Sequence, residues 1–417
     1  MISLFICIAL VAPSLPQTAD ASVLVNAHVL ASDGSSWLDG RAVVLRSERI
    51  EAIVAVADAP THGERVDLGG RYLIPGLIDL HSHLLLHPYD ETSWNDQVLT
   101  ESLELRTIRA VPAALATLRA GFTTIRELGT EGAAFADVAL RDAINQGVIP
   151  GPRIFAATRA LVATGCYGPS GFDPRWQVPR GAQVADGPVG VRVAVRQQIA
   201  AGADWIKVYA DYRRRAGGPS TPTYSQEELN AIVAEATSAG LPVAAHAVTN
   251  EAIRRAVLAG VRTIEHGYDV SSATLTLMRE HDVVLCPTLA AGHAISLYSG
   301  WDGGLPEPER VRNARAFFRR ALDSGVTIAC GSDVGVFTHG DNARELELMV
   351  AYGMSPGDAL RAATRVAADT LGRRVELGRI DAGFVADLVA LDADPLADPS
   401  ALRTVTDVWK GGRRIER

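Results

Sequence analysis

The sequence lacks the features that mark several classes of protein. All of its apolar runs fall short of the roughly 18–20 residues that a helix needs to span a bilayer. Its longest basic block is Arg213–Arg215, and 48 acidic residues outnumber 40 basic ones, which gives a net charge of −8. Because a nucleic-acid binder needs a basic face that displaces counterions, neither a nucleic-acid partner nor a membrane span is expected. Hydrophobic residues make up 47% and charged residues 21%, which excludes disorder, collagen and coiled coil.

Cysteine is scarce as well, with four residues among 417. Cys7 would leave with a cleaved leader, and the remaining Cys166, Cys286 and Cys330 cannot all pair. No CxxC or Cys–His spacing suggests a thiolate metal site. Cys286 and Cys330 end apolar runs, so we expect both to be buried as small hydrophobic residues.

The apolar run Ile2–Ala12 is the one that stands out, and its length suits the core of a signal peptide. Ala19-Asp20-Ala21 reads as a small-x-small cleavage site, although no Lys or Arg precedes the run. The alternative is a buried first strand. The leader predicts a signal peptide over residues 1–21 and a secreted or periplasmic mature chain.

Eight strand-like runs separated by helical patterns follow residue 75, and such alternation predicts a parallel sheet. The runs are Leu77–Leu80, Phe122–Arg126, Arg153–Ala157, Asp204–Val208, Pro242–Ala245, Arg262–Glu265, Val283–Cys286 and Val326–Cys330. Among the helical stretches, Glu227–Ala239 follows a capping box made by Ser225 and Glu228. The pattern predicts an α/β fold with a (β/α)8 TIM barrel over residues 74–377.

The two ends of the chain differ from this pattern. Residues 22–73 and residues 378–417 both contain short alternating runs broken by Gly and Asp. Neither end has enough apolar surface to fold alone, so we expect them to pair. The prediction is one small β-sandwich domain, built from both termini and flanking the barrel.

Side chains that can bind metal follow the ends of five predicted strands, at the rim where barrel enzymes place their sites. They are His81, His83, Lys207, His246, His266 and Asp333. Four imidazoles and a carboxylate suit Zn²⁺ or a similar ion and exceed what one tetrahedral zinc uses, which implies two metal ions. Two adjacent cations need a bridging anion, and no second Asp or Glu occupies a matching rim position. Lys207 fills that role only as a carbamate made with CO₂, and an unmodified lysine paired with Asp333 or a substrate is the equal alternative.

The same residues, in the same order, resemble the binuclear, carboxylated-lysine subtype of the amidohydrolase superfamily. Further matching strings are IPGLIDLHSH over Ile74–His83, GFTTIR over Gly121–Arg126, GSDVGV over Gly331–Val336 and NARELELMV over Asn342–Val350. These strings are similar to the imidazolonepropionase-like branch, which includes Xaa-Pro and Xaa-Arg carboxydipeptidases and ochratoxinase-type amidases. The chain departs from many relatives at Tyr167, where they carry a histidine.

The resemblance implies a role for each site residue. His81, His83 and Asp333 would hold one metal ion, His246 and His266 the other, and carboxylated Lys207 both. Asp333 would also carry the proton of catalysis. Tyr167 and Tyr209 are candidates to bind the tetrahedral oxyanion or a substrate carboxylate, with packing as the alternative. Arg213–Arg215 would attract a carboxylate or form only a solvated face.

The sequence therefore predicts a zinc-dependent amidohydrolase of the carboxypeptidase, dipeptidase or aminoacylase type. Its substrates would be small N-acyl amino acids or dipeptides with a free carboxylate, including ochratoxin A with release of phenylalanine. A homo-oligomer is expected. The alternatives are a cyclic-amide hydrolase of imidazolonepropionase type and a non-catalytic binding protein on the same scaffold.

Overall fold

The computed structural model describes residues 21–173, 175–215 and 217–416. The predicted signal peptide lies outside the described residues except for Ala21, so its cleavage stays a prediction. The three cysteines within the described residues, Cys166, Cys286 and Cys330, are buried free thiols. The expectation for Cys286 and Cys330 is therefore confirmed.

Eighteen strands occur in the described residues and are numbered β1 to β18 in chain order. Their bounds are Ser22–Leu30, Trp37–Arg46, Arg49–Ala55, Glu64–Pro75, Leu77–Ser82, Phe122–Glu127, Arg153–Ala156, Leu161–Val162, Gln183–Val184, Ile206–Tyr209, Asp211–Arg213, Ser220–Pro222, Val243–Ala247, Thr263–His266, Val284–Cys286, Leu388–Leu391, Val405–Lys410 and Arg413–Arg414.

Twelve α-helices, α1 to α12, are found in the same part of the chain. Their bounds are Trp94–Thr100, Leu103–Arg119, Ala136–Asn145, Gly187–Ala200, Gln226–Ser238, Asn250–Ala259, Ser272–Glu280, Leu289–Tyr298, Glu309–Ser324, Ala343–Ala351, Pro356–Ala362 and Arg365–Thr370. None of these described helices combines the length and hydropathy needed to cross a membrane. Helix α5 has the predicted capping box, since Ser225 and Glu228 each accept a hydrogen bond from the other's backbone N–H.

Backbone hydrogen bonds join parallel segments into a ring of eight positions, with β7 and β8 in succession at the third, both beside β10. Strands β5, β6 and β7 form one parallel sheet, and β8, β10, β13, β14 and β15 belong to another. The N–H of Asp204, just before β10, donates to the carbonyl oxygen of Ala156 in β7 at 2.7 Å. On the other side, Ala329 donates to Leu285 in β15 at 3.0 Å, and Leu80 in β5 donates to Cys330 at 2.9 Å. The α/β ring places every strand's carboxyl end on the same rim.

The eighth predicted strand, Val326–Cys330, is not a regular strand. It pairs with β15 through a single bridge, between Leu285 and Ile328. The N–H of Cys330 donates at 3.0 Å to the carbonyl of Ala362, at the end of α11, instead of to a strand. The ladder with β5 is interrupted there, since the Cys330 carbonyl accepts from Leu80 while its N–H is bonded outside the ring.

Strands from both ends of the chain form one seven-stranded sheet, in the order β18-β17-β16-β4-β1-β2-β3. Strand β4 is central, since it runs parallel to β1 and antiparallel to β16. Leu24, Leu73, Leu388 and Trp409 are buried in the core of this sheet. The β-sandwich and the domain boundaries stay predictions.

Gly76 joins β4 of the terminal sheet to β5 of the ring in close contact with its neighbours. A Cβ there would lie 2.1 Å from Thr123 Oγ1. We expect Gly76→Ala to lower the thermal midpoint, because overpacking a buried site costs about 1–3 kcal/mol. Gly190→Ala in α4 is the matched control, since nothing lies within 4 Å of its added Cβ. That control should stabilise the helix by about 0.5–1 kcal/mol, and an unchanged midpoint for Gly76→Ala would contradict the close contact.

Candidate active site

The predicted metal ligands meet at one rim of the ring. The ring centroids of His81 and His83 are 5.2 Å apart, those of His81 and His266 5.2 Å, and those of His246 and His266 4.4 Å. The four imidazoles therefore form a continuous group, although they come from three different strands and the loop after β5. The spacing of these residues along the sequence indicated this convergence correctly.

His81, His83 and Asp333 form the tightest part of the group. Their ligand atoms lie within 4.8 Å of one another. Asp333 Oδ1 is 3.3 Å from His83 Nε2 and 3.6 Å from His81 Nε2. Two imidazole nitrogens and a carboxylate oxygen that converge at this separation fit a divalent metal ion.

Three of the histidines are oriented through a hydrogen-bond partner of Nδ1. His81 Nδ1 lies 2.9 Å from Glu265 Oε2, and His83 Nδ1 lies 2.9 Å from the carbonyl oxygen of Gly129. His266 Nδ1 is 2.7 Å from Thr288 Oγ1. The Thr288 hydroxyl donates to the carbonyl of Pro287, so it accepts from His266. Such partners fix the tautomer in which Nε2 presents a lone pair to a metal.

A fully buried ion pair lies beneath His81. Arg126 Nη2 donates to Glu265 Oε1 at 2.7 Å, and both side chains are 0% exposed. Arg126 also donates from Nε to the carbonyl of Leu80 and stacks over the ring of Trp205. Because each charge is satisfied, Glu265 can hold His81 without leaving an unpaired cation in the interior.

A second buried carboxylate, Asp79, connects β5 to the loop that carries Asp333. Its oxygens accept hydrogen bonds from the N–H groups of His81 and Ser332, each at 3.0 Å. Asn342, which precedes α10, donates to the same carboxylate at 2.7 Å. Asp79 therefore fixes Asp333 relative to the two histidines through backbone contacts.

The backbone is left-handed at several non-glycine residues of this rim, three of them on the sixth, seventh and eighth segments. The φ angles are +73° at His266, +51° at Thr288 and +62° at Asp333. Each such conformation costs roughly 1–3 kcal/mol and persists only where surrounding contacts determine it. The strain turns the ligands of the sixth and eighth segments toward those of the first.

Burial changes the protonation of this group. It lowers the pKa of His81, His246 and His266, and the pKa of His266 falls to about 4. Near neutral pH these imidazoles are uncharged, as metal binding requires. Burial opposes the charged form of His83 too, but the hydrogen bond to Asp333 raises its pKa to about 9.

Lys207 lies on β10 and is 1% exposed. Burial lowers its pKa to about 8, and its charge in turn lowers the pKa of His81, His246 and His266. Among the described residues, no carboxylate lies within ion-pair distance of its amine. The pairing with Asp333 that the sequence left open is therefore not formed.

Tyr167 and Tyr209 continue the group outward from His246. The ring of Tyr209 stacks on His246 at 4.4 Å, and that of Tyr167 stacks on Tyr209 at 4.2 Å. The Tyr167 hydroxyl donates to Glu131 Oε2, and Trp94 Nε1 donates to the same oxygen at 2.8 Å. In this arrangement the Tyr167 hydroxyl proton is directed at Glu131.

Glu131 corrects the expectation that no second acidic residue occupies this rim. It lies four residues beyond β6, in the loop Gly129–Gly132, and is only 2% exposed. The positions of strand ends do not reveal this residue, because a loop returns it to the site. The two glycines around it were the available signal, since they permit such a turn.

A cavity of about 590 Å³ opens beside Tyr167. Aromatic and cationic side chains line it, namely Tyr89, Trp94, Tyr167, Tyr212, Arg180 and Arg213–Arg215. The arginines are exposed, whereas Tyr167 is buried. The cavity is therefore aromatic at its inner end and positively charged toward solvent.

Comparisons with known proteins find a matching family profile and several relatives. The profile of the amidohydrolase family matches residues 72–415. Ochratoxinase from Aspergillus niger is 30% identical over 432 residues, covering 96% of this chain and 88% of that protein. Imidazolonepropionase from Streptomyces avermitilis is 26% identical over 401 residues, covering 90% and 86%. The crystal structure of a Xaa-Pro dipeptidase with methionine bound in its active site has a TM-score of 0.85 and 32% identity, covering 95% of this chain and 100% of that one.

The contact between Glu265 and His81 yields a test of the metal site. We expect Glu265→Gln to weaken metal binding about 10- to 100-fold, because the amide cannot accept from His81 and Arg126 with both of its terminal atoms. Competition with a chromophoric chelator measures the affinity. Glu251→Gln is the matched control, since Glu251 is a partly exposed partner of Arg254 and Arg255 on α6. Equal affinities for both variants would contradict the orienting role of Glu265.

Proposed function

The chain belongs to the amidohydrolase family of hydrolytic enzymes, and we propose that it uses two divalent metal ions to hydrolyse amide bonds. Its substrates in this proposal are dipeptides and N-acyl amino acids with a free carboxylate, ochratoxin A among them. The observation that carries the proposal is the convergence of His81, His83 and Asp333, with the imidazoles of His246 and His266 directly beside them. These donors exceed the needs of one tetrahedral ion, and their chemistry suits zinc.

Bound divalent ions would supply an acidified water molecule and polarise the scissile carbonyl. Asp333 is the residue that can move the proton. Its side chain is 14% exposed, against 2% for His81 and 13% for His246, so it is one of the ligands nearest the open side of the site and the only carboxylate among them. It accepts a proton from the attacking water and passes it to the leaving nitrogen, because an amide anion is a very poor leaving group.

Lys207 is proposed to be carboxylated. Of the 40 basic residues in the chain, only Lys207 and Lys410 are lysines. Arginine cannot lose its proton in a protein, whereas a lysine with a pKa of about 8 offers a neutral amine near physiological pH. The amine nitrogen attacks the carbon of CO₂, an N–C bond forms and a proton is released. The product is an anion that can bridge two cations.

The cavity supports the proposed substrates. Its aromatic inner wall suits a hydrophobic or aromatic side chain, and Arg213–Arg215 at its outer end suit a carboxylate. Relatives whose names describe an ochratoxinase and a Xaa-Pro dipeptidase favour a substrate of this kind. Because another relative is named imidazolonepropionase, a cyclic amide is the alternative substrate.

We also propose that the mature chain acts outside the cytoplasm, as a secreted or periplasmic homo-oligomer. The leader-like run Ile2–Ala12 and the small-x-small site Ala19-Asp20-Ala21 support export. Expression of the full sequence followed by amino-terminal sequencing of the exported protein tests this proposal. A mature terminus at Ser22 is expected, and retention of Met1 inside the cell would contradict it.

The two lysines allow a direct test of the carbamate. With ¹³C-labelled bicarbonate, a carbamate signal should be present in the wild type and in Lys410→Arg and absent in Lys207→Arg. The control is close, because burial lowers the pKa of Lys410 to about 8 as well. Lys207→Ala should lose activity and regain part of it with added short carboxylic acids. A metal-loaded Lys207→Ala enzyme with full activity would rule the carbamate out.

Converting the substrate's carboxylate to an amide tests whether the enzyme recognises that carboxylate. For one dipeptide, the amidated form should have a lower kcat/KM than the free acid, by roughly 1–3 kcal/mol for each hydrogen bond lost. The ratio of the two specificity constants is the measurement. A ratio near one would show that the enzyme does not recognise the carboxylate, and it would favour the cyclic-amide candidate.

A further inference from the structure

Glu131 is held in an unusual conformation beside the metal ligands. Its φ angle is +51°, in the left-handed region that glycine prefers. The buried Arg106 donates to its backbone carbonyl at 2.7 Å and to the carbonyl of Leu85 through two further nitrogens. Strain of this kind, maintained by a buried arginine, is typical of functional positions.

The Glu131 carboxylate has no cation in contact. Among the described residues, its hydrogen-bond donors are the hydroxyls of Tyr167 and Tyr209 and the indole N–H of Trp94, all of them neutral. Arg106 is near, but its guanidinium is used on backbone carbonyls. Glu265 is paired with Arg126. Asp79 also lacks a cation, but its two oxygens accept from four neutral donors, whereas those of Glu131 accept from three.

The two oxygens of this carboxylate are not equivalent. Oε2 accepts from Tyr167 and Trp94, whereas Oε1 has only the Tyr209 hydroxyl, at 3.5 Å, the limit of a hydrogen bond. A Cβ added to Gly129 would lie 3.5 Å from Oε1 and 3.8 Å from His83 Cε1. Oε1 and the imidazole of His83 therefore lie on either side of Gly129, which has no side chain to separate them. Oε1 can accept a hydrogen bond from one more donor.

The surroundings of Glu131 match those that bind an ammonium ion. The rings of Trp94 and Tyr167 are 4.8 Å apart, and Tyr209 and Tyr212 complete an aromatic group around them. Tyr209 is stacked between Tyr167 and His246, so the rings serve mainly to shield the carboxylate from water, which strengthens its attraction for a compact cation. Glu131 is 2% exposed, no less than His81 and little less than His83 at 4%, so it is as accessible as residues of the metal site.

We propose that Glu131 binds the protonated α-amino group of the substrate through Oε1. The inference rests on the proposed amide hydrolysis and narrows its substrate class to dipeptides with a free amino terminus. The ammonium group then lies at the inner end of the site, near Glu131, and the carboxylate extends toward Arg213–Arg215. N-acylated amino acids, which lack this charge, leave Glu131 unpaired and are poorer substrates.

A matched pair of substrates tests the inference. Alanyl-phenylalanine and propionyl-phenylalanine differ only in the α-amino group. For the metal-loaded wild type, we expect kcat/KM to be about 10- to 100-fold higher for alanyl-phenylalanine, the range for one hydrogen bond between charged groups. Glu131→Gln should remove most of that preference by lowering the value for alanyl-phenylalanine alone. Glu251→Gln on α6, which keeps the Glu131 carboxylate and every ring around it, should retain the preference.

The outcomes separate this inference from the function it rests on. If the wild type hydrolyses both compounds equally well, Glu131 does not bind an ammonium group although amide hydrolysis stands. If Glu131→Gln lowers both values by the same factor, Glu131 acts through the tyrosines or on proton transfer, and the inference is wrong. Hydrolysis of neither compound by metal-loaded enzyme would overturn the proposed function itself. The wild-type ratio needs no variant and decides the question even if Glu131→Gln fails to fold.

Discussion

Glu265 carries a buried charge on which the arrangement of the whole rim depends. One of its oxygens is 2.9 Å from His81 Nδ1, and the other accepts from Arg126 at 2.7 Å. Arg126 belongs to β6, so this carboxylate joins the first, second and sixth strands of the ring. Leaving either partner unpaired in the interior would cost several kcal/mol. The charge pair therefore fixes His81 with far less freedom than a surface contact would allow.

The remaining features of the site follow from the same exclusion of water. Burial keeps His81, His246 and His266 neutral and brings the pKa of Lys207 to about 8. In water a lysine would stay protonated and repel metal ions. Within the ring it can become an anion, so one physical condition favours both the imidazole ligands and the proposed bridge.

The sequence predicted the rim well because parallel strands bring their carboxyl ends together, whatever the loops do. That rule brought His81, His246 and His266 to one place without any knowledge of contacts. The rule did not identify Glu131, which lies in a loop four residues beyond β6. Its left-handed backbone conformation directs the side chain back to the site. The rule also did not predict that Val326–Cys330 is irregular. The backbone N–H of Cys330 donates to Ala362, a residue distant in sequence, and this bond interrupts the ladder.

We propose that two divalent ions held at this rim make the chain an amide hydrolase. Titration of the metal-free protein with zinc, with dipeptide hydrolysis and bound metal measured at each step, tests it most directly. If two ions are required, activity rises with metal content and reaches its maximum at two ions per chain. A maximum at one ion per chain, or hydrolysis that is independent of metal, would contradict it.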